Sequence, residues 1–142
     1  SDHSPAPPEI KSLESGSFLT AWGGIAGFQS LLSASWAALK DWLTIETFIP
    51  LLTENPARFL ALFPQKGIIQ VGSDADLVVW QPEISFILKS EDLRYRHKIS
   101  PYVGKSLTGN VIATYVAGEN ILVHRQNTIK TGTCILRPSK KS

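Results

Sequence analysis

The spacing of the apolar residues changes once along the 142-residue chain, close to Gly67. Before that point they recur at steps of three and four, which is the period of an amphipathic helix. Beyond it they alternate, as the two faces of a strand require. Helices followed by a run of strands, rather than the two in alternation, predict two cooperating pieces. We therefore expect an α/β chain in which residues 1–64 and residues 65–142 form different parts.

Three helices are predicted in the first part. The first carries Trp36 on its apolar face and ends near Leu43. Thr44 can cap the second helix, which Pro50 should kink or shorten because proline has no backbone donor. The third is predicted over residues 57–63, after an Asn-Pro start signal.

The second part is predicted to be built of strands. Ala-Gly-Glu-Asn at residues 117–120 is a strong β-hairpin signal between two of them. Residues 90–106 are charged and irregular, so we expect a loop there. The strands are predicted at residues 68–71, 76–80, 86–88, 111–116 and 121–124.

Charge and hydropathy exclude two classes of partner. Fourteen basic and twelve acidic residues leave a formal charge of +2, which is too small for the positive field that nucleic acid or anionic membrane binding requires. No apolar stretch approaches the roughly 20 residues that span a bilayer. We therefore expect a soluble protein with no nucleic-acid and no membrane partner.

The chain has a single cysteine, Cys134, and no methionine. One cysteine excludes an internal disulfide and any site of several thiolates, and it indicates a reducing intracellular compartment. We expect the cytoplasm, with the peroxisome and the mitochondrion as alternatives. Because no initiator methionine is present, Ser1 is interpreted as an internal point of a longer sequence.

The residue types that catalysis needs occur together in the first five positions. Asp2 beside His3 can ligate a divalent metal or act as an acid/base pair, although a zinc site needs about three or four protein ligands. The dipeptide alone is therefore weak evidence for a site and favours a structural explanation. His97, in a predicted loop, and His124, in a predicted strand, are expected to be surface residues rather than further ligands.

Two other features have open or structural interpretations. The glycines at 23, 24 and 27 permit close approach of the main chain to a ligand, or only a tight connecting turn. Asp74 and Asp76 precede a predicted strand, where aspartates accept backbone N–H bonds and hold the turn. There is no Walker loop, dinucleotide fingerprint or nucleophile elbow.

Several segments, in order, resemble one family. Ser-Asp-His-Ser-Pro at residues 1–5 and Ala-Trp-Gly-Gly-Ile at residues 21–25 resemble the signature at the end of the barrel in allantoinases. The blocks that follow are similar to the C-terminal region of the wider cyclic amidohydrolases, including hydantoinases and dihydroorotases. These blocks lie at residues 55–58, 66–69, 72–80, 100–105 and 111–123. The resemblance covers nearly the whole chain.

The resemblance implies a (β/α)₈ barrel with two zinc ions, bridged by a carboxylated lysine and a hydroxide, and a β-sandwich built from both ends of the chain. Residues 1–64 would be the end of the barrel domain, with the catalytic loop and the terminal helices. Residues 65–142 would be a β-sandwich segment. The resemblance also implies a homotetrameric full-length parent with a small-molecule substrate, allantoin.

The same resemblance assigns roles to five residues. Asp2 would ligate a metal, take the proton of the bridging water as it attacks the ring amide, and pass that proton to the leaving nitrogen. His3 and Ser4 would line the substrate pocket, and the backbone of Gly23 and Gly24 would contact the ureido or ring amide groups. The family's other metal ligands have no counterpart in this chain, so we expect it to retain no zinc and to be inactive alone.

The leading hypothesis is therefore part of an allantoinase, which hydrolyses allantoin to allantoate in purine breakdown. A dihydropyrimidinase or dihydroorotase would use the same machinery on another cyclic amide, although Trp-Gly-Gly at residues 22–24 favours allantoinase. A third hypothesis is a non-catalytic structural or interaction remnant of the family. Such a remnant would need a partner for its exposed apolar faces.

Overall fold

The computed structural model describes residues 1–122 and 132–135. Packing divides the chain into one unit of Ser1–Leu52 with Gln81–Asn110 and a second of Thr53–Trp80 with Val111–Ser142. These units reflect spatial packing rather than family domains, so the division predicted at residue 64 stays a prediction.

Helices and a small sheet follow one another along the chain. None of the helices in the described part has the length and apolar character that a bilayer-spanning segment requires. The order is a 3₁₀ turn at Pro8–Ile10, α1 (Leu31–Leu39), α2 (Ile45–Leu52), α3 (Glu54–Phe59), β1 (Leu77–Ile87), a 3₁₀ turn at Ser90–Asp92, β2 (Ser106–Val116) and β3 (Glu119–Asn120).

In the first unit α1 packs against α2 and is tied to the strand segments of the same unit. The rings of Trp36 and Phe48, both buried, lie with their centroids 5.1 Å apart. Trp36 Nε1 donates to the Pro82 carbonyl at 2.9 Å, and Ser33 Oγ donates to the Gly109 carbonyl at 2.6 Å. Buried side-chain donors therefore have partners where the helix meets the strands, as burial of polar groups requires.

The predicted helices are present, with different bounds. α1 ends at Leu39, four residues before the predicted end. α2 continues through Pro50, which lies in its last turn and removes only one backbone hydrogen bond. α3 begins at Glu54 and ends at Phe59, rather than covering residues 57–63, because a proline in the first turn of a helix loses no intrahelical bond.

The strands are fewer than predicted, and two of them, β1 and β2, are longer. Residues 68–71 do not form a strand, and their side chains are exposed, Val71 fully so. The two strands predicted at 76–80 and 86–88 are one continuous strand, β1, that passes through Pro82. An apolar pattern predicts the faces of a strand but not whether a partner pairs with it, which explains the error at residues 68–71.

The predicted hairpin is present, but its second strand is β3, Glu119–Asn120, rather than residues 121–124. Residues 121 and 122 form a turn. β2 and β3 pair antiparallel, with Tyr115 opposite Asn120 and Val116 opposite Glu119, and the described sheet has the order β1-β2-β3. The two residues of the turn, Ala117 and Gly118, have φ values of 51° and 84°, the left-handed region that tight hairpins use. The predicted position of His124 lies outside the described residues.

The loop predicted over residues 90–106 is present and contributes to the core. Leu93, from this loop, is 1% exposed and packs with Leu88 and Leu107. Partly buried apolar side chains surround these three leucines: Ala34, Phe86, Tyr95, Tyr102 and Val103. The loop is therefore held by apolar burial at its centre.

In the second unit a charged cluster joins the segment before β1 to the hairpin turn. The Lys66 ammonium pairs with the carboxylates of Asp74, at 2.9 Å, and Asp76. Asp76 also accepts the Ala117 N–H at 2.9 Å. Asp76 accepts a backbone N–H as predicted, but from the hairpin turn at Ala117 rather than from its own turn. The pKa of Asp76 is held below its usual range first by Lys66 and then by the Ala117 N–H.

Asp76→Ala should lower the free energy of unfolding by about 1–2 kcal/mol, because it removes an ion pair and a charge-assisted bond to the backbone. Asp74→Ala is the matched control. It removes only a partly exposed ion pair and a side-chain amide contact, so the loss should stay below about 1 kcal/mol. Urea denaturation at neutral pH measures both, and equal losses would show that the Ala117 bond contributes nothing.

The contribution of the cluster should depend on pH in both directions. The lowered pKa of Asp76 means that its stabilisation is present above the unfolded carboxyl value, roughly 3.9, and is lost as pH falls through the folded value. The Asp76 and Asp74 carboxylates raise the pKa of Lys66, so its part is lost only as pH rises through that raised value. The difference between wild type and Asp76→Ala should therefore shrink in strong acid and in strong alkali.

Candidate functional site

The first residues of the chain pair directly with the glycine-rich turn. His3 and Ile25 form a parallel β-bridge, in which the Ser4 N–H donates to the Ile25 carbonyl at 2.9 Å. Ser4 Oγ donates to the Asp2 carbonyl at 3.2 Å. The structure therefore brings the two segments of the predicted site together through backbone contact.

Gly24 is the point of closest approach between these segments. A Cβ atom added there would lie 2.3 Å from Ser4 Cβ, and Gly24 has a φ of +76°. Both facts require glycine, because side chains disfavour this φ and no space remains for one. Gly23 differs, since a Cβ atom added there would meet nothing within 4 Å. Only Gly24 is thus structurally necessary for the contact.

Asp2 lies one residue before the bridge with its side chain exposed. Its φ is +45°, a left-handed conformation that aspartate tolerates better than most residues. No side chain in the described part of the chain pairs with its carboxylate. The carboxylate is therefore free to act on a ligand, and its backbone position follows from the bridge at His3.

The His3 ring is fixed by one hydrogen bond and two aromatic contacts. Its Nδ1 accepts the Phe28 N–H at 3.2 Å. The ring stands edge-on to Phe28 and Tyr95, with centroid separations of 6.0 and 5.4 Å. A neutral imidazole that accepts at Nδ1 carries its proton on Nε2. His3 therefore offers an N–H donor from an oriented ring.

The loop around Tyr95 fixes the residues that follow the glycine-rich turn. The buried Ala26 carbonyl accepts from Tyr95 Oη and from Ser100 Oγ, both at 3.1 Å. The Gln29 side chain bonds the backbone of the same loop twice, at Asp92 O and Arg94 N–H, each at 2.8 Å. Sequence reasoning missed these residues, and the only signal was the family block that includes Ser100.

Lys11 completes the local structure from the other side of the turn. Its ammonium donates to the carbonyls of Trp22, Gly23 and Gly24 at 3.0, 3.1 and 2.5 Å. The Trp22 N–H in turn donates to the Ile10 carbonyl at 2.8 Å. The turn is thus held on both sides, by Ser4 and by Lys11.

Comparison with known proteins identifies the family of this chain. The sequence profile of the Amidohydrolase family matches residues 14–121. The chain belongs to the Amidohydrolase family. It is 44% identical over 123 residues to an allantoinase of Salmonella newport (strain SL254), a match that covers 85% of this chain and 26% of that protein. The chain thus spans about a quarter of the length of such relatives.

Solved structures of amidohydrolases share the fold of this chain. A D-hydantoinase superposes with a TM-score of 0.76 at 28% identity, over 85% of this chain and 27% of that one. An L-hydantoinase (dihydropyrimidinase) from Arthrobacter aurescens gives 0.73 at 32% identity, with the same coverage. The fold class is confirmed to this extent, as helices with a small antiparallel sheet in an amidohydrolase fold.

The described residues do not by themselves form a metal site. No group of three or more histidine, cysteine, aspartate or glutamate side chains could hold an ion within residues 1–122 and 132–135. His97, predicted to lie on the surface, is half-buried in its loop. Amidohydrolases generally depend on a metal, and here Asp2 is the single predicted ligand, so the roles of Asp2, His3, Ser4, Gly23 and Gly24 stay predictions.

Gly24→Ala should lower the free energy of unfolding by about 2–4 kcal/mol, because the added Cβ collides with Ser4 and the φ is unfavourable for alanine. Gly23→Ala meets open space and should cost less than about 1 kcal/mol. Urea denaturation of both variants tests the contact between the two segments. Equal effects would mean that Ser4 does not lie against the turn.

Tyr95→Phe and Ser100→Ala should each cost about 0.5–1.5 kcal/mol, because each removes one of two bonds to the Ala26 carbonyl. The double variant should cost more than their sum, because a buried carbonyl is then left without a partner. Tyr115→Phe, at a tyrosine without such a bond, is the control and should stay within about 0.5 kcal/mol of wild type. Strict additivity in the double-mutant cycle would contradict the shared acceptor.

Proposed function

We propose that this chain is the C-terminal part of an allantoinase, which hydrolyses the cyclic amide of allantoin to allantoate in purine breakdown. The observation that carries the proposal is the identity of 44% with an allantoinase over 123 residues. The bridge between His3 and Ile25 supports it further, because it joins the two segments that resemble the allantoinase signature.

In this proposal the chain completes a (β/α)₈ barrel. Residues 1–64 supply its last strand and terminal helices, and residues 65–142 supply part of a β-sandwich. The similarity to hydantoinase structures over 85% of the chain supports this placement. Active sites of such barrels lie at the C-terminal ends of the strands, and the exposed Asp2 beside a β-bridge fits that position.

The proposed residue roles come from the resemblance to allantoinases, and the geometry of the candidate site is compatible with them. Asp2 offers a free carboxylate for a metal and for a proton. His3 offers its Nε2–H to the substrate, and Ser4 lies against the Gly23-Gly24 turn that contacts the ring amide. The cofactor is proposed to be a pair of zinc ions, whose other ligands lie in the part of the barrel outside these residues.

We propose that the isolated chain is inactive and that its full-length parent is a cytoplasmic homotetramer. The exposure of several large apolar side chains supports the inactivity of the isolated chain, because in a complete barrel such side chains would normally be covered. The most exposed are Phe18 at 95%, Leu19 at 100%, Trp42 at 84%, Phe59 at 90%, Ile69 at 86% and Val71 at 103%. Zinc analysis and an allantoin assay on the purified chain should give negligible metal and no turnover.

A second candidate is a hydantoinase or dihydropyrimidinase acting on a different cyclic amide. The solved structures that resemble the chain carry those names, which favours this candidate. Their identities of 28% and 32% are lower than the 44% with the allantoinase. A non-catalytic remnant of the family is the third candidate, supported by the lack of any group of three or more potential metal ligands in the described residues.

A chimera tests the function directly. This chain replaces the corresponding C-terminal quarter of the Salmonella newport allantoinase, so the relative supplies the rest of the barrel. We expect zinc binding and allantoin hydrolysis. Asp2→Asn should reduce kcat by roughly 10²–10⁴-fold, which is the usual contribution of a positioned proton-transfer group. Asp41→Asn, at another exposed aspartate, is the control and should leave kcat unchanged.

The outcomes separate the three candidates. Preference for dihydropyrimidine or dihydroorotate over allantoin would favour the second candidate. A folded, zinc-loaded chimera without any hydrolysis would favour the remnant. Equal kcat values for Asp2→Asn and Asp41→Asn would remove Asp2 from the chemistry.

A further inference from the structure

The Lys11 ammonium uses all of its donors on one turn. It contacts three successive carbonyl oxygens, those of Trp22, Gly23 and Gly24. An ammonium has three N–H donors and no acceptor. Lys11 therefore has no donor left for a ligand, and any effect it has on a reaction must act through the turn.

Three carbonyls on one cation determine where the neighbouring N–H groups point. In a trans peptide the C=O and N–H bonds point to opposite sides, and the Trp22–Gly23 and Gly23–Gly24 bonds are trans. Because the Trp22 and Gly23 carbonyls face Lys11, the N–H groups of Gly23 and Gly24 face away from it. Neither N–H has a protein acceptor within the part of the chain that the structure describes.

We infer that Lys11 is a positioning residue, which orients the N–H groups of Gly23 and Gly24 toward an oxygen of the cyclic amide substrate. The inference rests on the proposed function. It identifies two backbone N–H groups as the donors to the substrate and Lys11 as the residue that orients them. Successive backbone N–H groups in a turn form a concavity that binds oxygen anions. The cation behind the carbonyls polarises the same peptide groups, which strengthens their N–H donors. Donors fixed in this way act best on the negative charge that develops as the amide is attacked.

The test is a kinetic comparison in the chimera of this chain with the Salmonella newport allantoinase, which supplies the rest of the barrel. Lys11→Met keeps most of the aliphatic stem but removes the charge and the donors. Lys40→Met is the matched control, because Lys40 is exposed at the end of α1 and its side chain has no partner in the described structure. We expect Lys11→Met to lower kcat/KM about tenfold, mainly through kcat, because part of an oxyanion contact is lost.

Rescue and structure distinguish positioning from simple loss of stability. Lys11→Arg keeps charge and donors, so its kcat/KM should lie within about threefold of wild type, whereas Lys40→Met should lie within about twofold. A crystal structure of Lys11→Met should show the two peptides rotated. If Lys11→Met does not fold, Lys11→Gln replaces it with the same expected loss.

Each result decides one of the two proposals. A wild-type chimera that binds zinc but hydrolyses no cyclic amide would contradict the proposed function, and the crystal structure would still test the orientation of the peptides. An active wild type with Lys11→Met unchanged, or with Lys11→Arg as slow as Lys11→Met, would overturn the role of Lys11. Unrotated peptides in the Lys11→Met structure would overturn it as well.

Discussion

The parallel bridge between His3 and Ile25 is the contact on which the candidate site depends. It joins two backbone segments, and the second passes so close to Ser4 that Gly24 has no room for a side chain. Backbone contacts have no rotamers to vary, so they fix the separation of two segments more closely than contacts between side chains do. The positions of Asp2 and His3 relative to the glycine-rich turn are therefore set by the chain itself.

Support for this contact comes from far along the sequence. The Ala26 carbonyl is buried and takes two hydroxyl donors, Tyr95 and Ser100, while Leu93 anchors the same loop in the core. A buried carbonyl with two partners is a strong constraint, because losing both would leave a polar group without a hydrogen bond in an apolar environment. The loop thus supports the candidate site, and the ring of Tyr95 also contacts the His3 ring.

The parts of the structure that local chemistry encodes were predictable from the sequence. Ala117-Gly118 requires left-handed backbone, and the hairpin is found there. The pattern at residues 68–71 was misread as a strand, since alternation reports faces and not partners. The strands predicted at residues 76–80 and 86–88 are one continuous strand, β1, and the carbonyl of Pro82 within it accepts from Trp36. Periodicity locates elements, but pairing across the fold decides their extent.

The candidate site likewise contains residues that the sequence predicts and residues that it does not. Residues 2–4 and the glycines at 23 and 24 were identified from the order of two short motifs, and the structure brings them together. Lys11, Gln29 and Tyr95 were not identified, because a side chain that bonds a distant backbone carbonyl leaves no periodic trace in the sequence. Such bonds join residues far apart in the sequence, so they depend on the tertiary fold and cannot be recognised from a short sequence segment.

The described residues hold one wall of the candidate site, and no group of three or more of their histidine, cysteine, aspartate and glutamate side chains could hold a metal ion. The wall consists of an oriented histidine, two backbone N–H groups held from behind by a cation, and a carboxylate without a protein partner. The hydrogen bonds that orient these groups are made within the chain. Large apolar side chains elsewhere in the chain, such as Phe18 and Leu19, are exposed. The described residues therefore orient the polar groups of the candidate site, but they do not cover these apolar side chains. In the proposed amidohydrolase this segment would fix the direction from which the cyclic amide is held, and the rest of the barrel would supply the ions and the apolar cover.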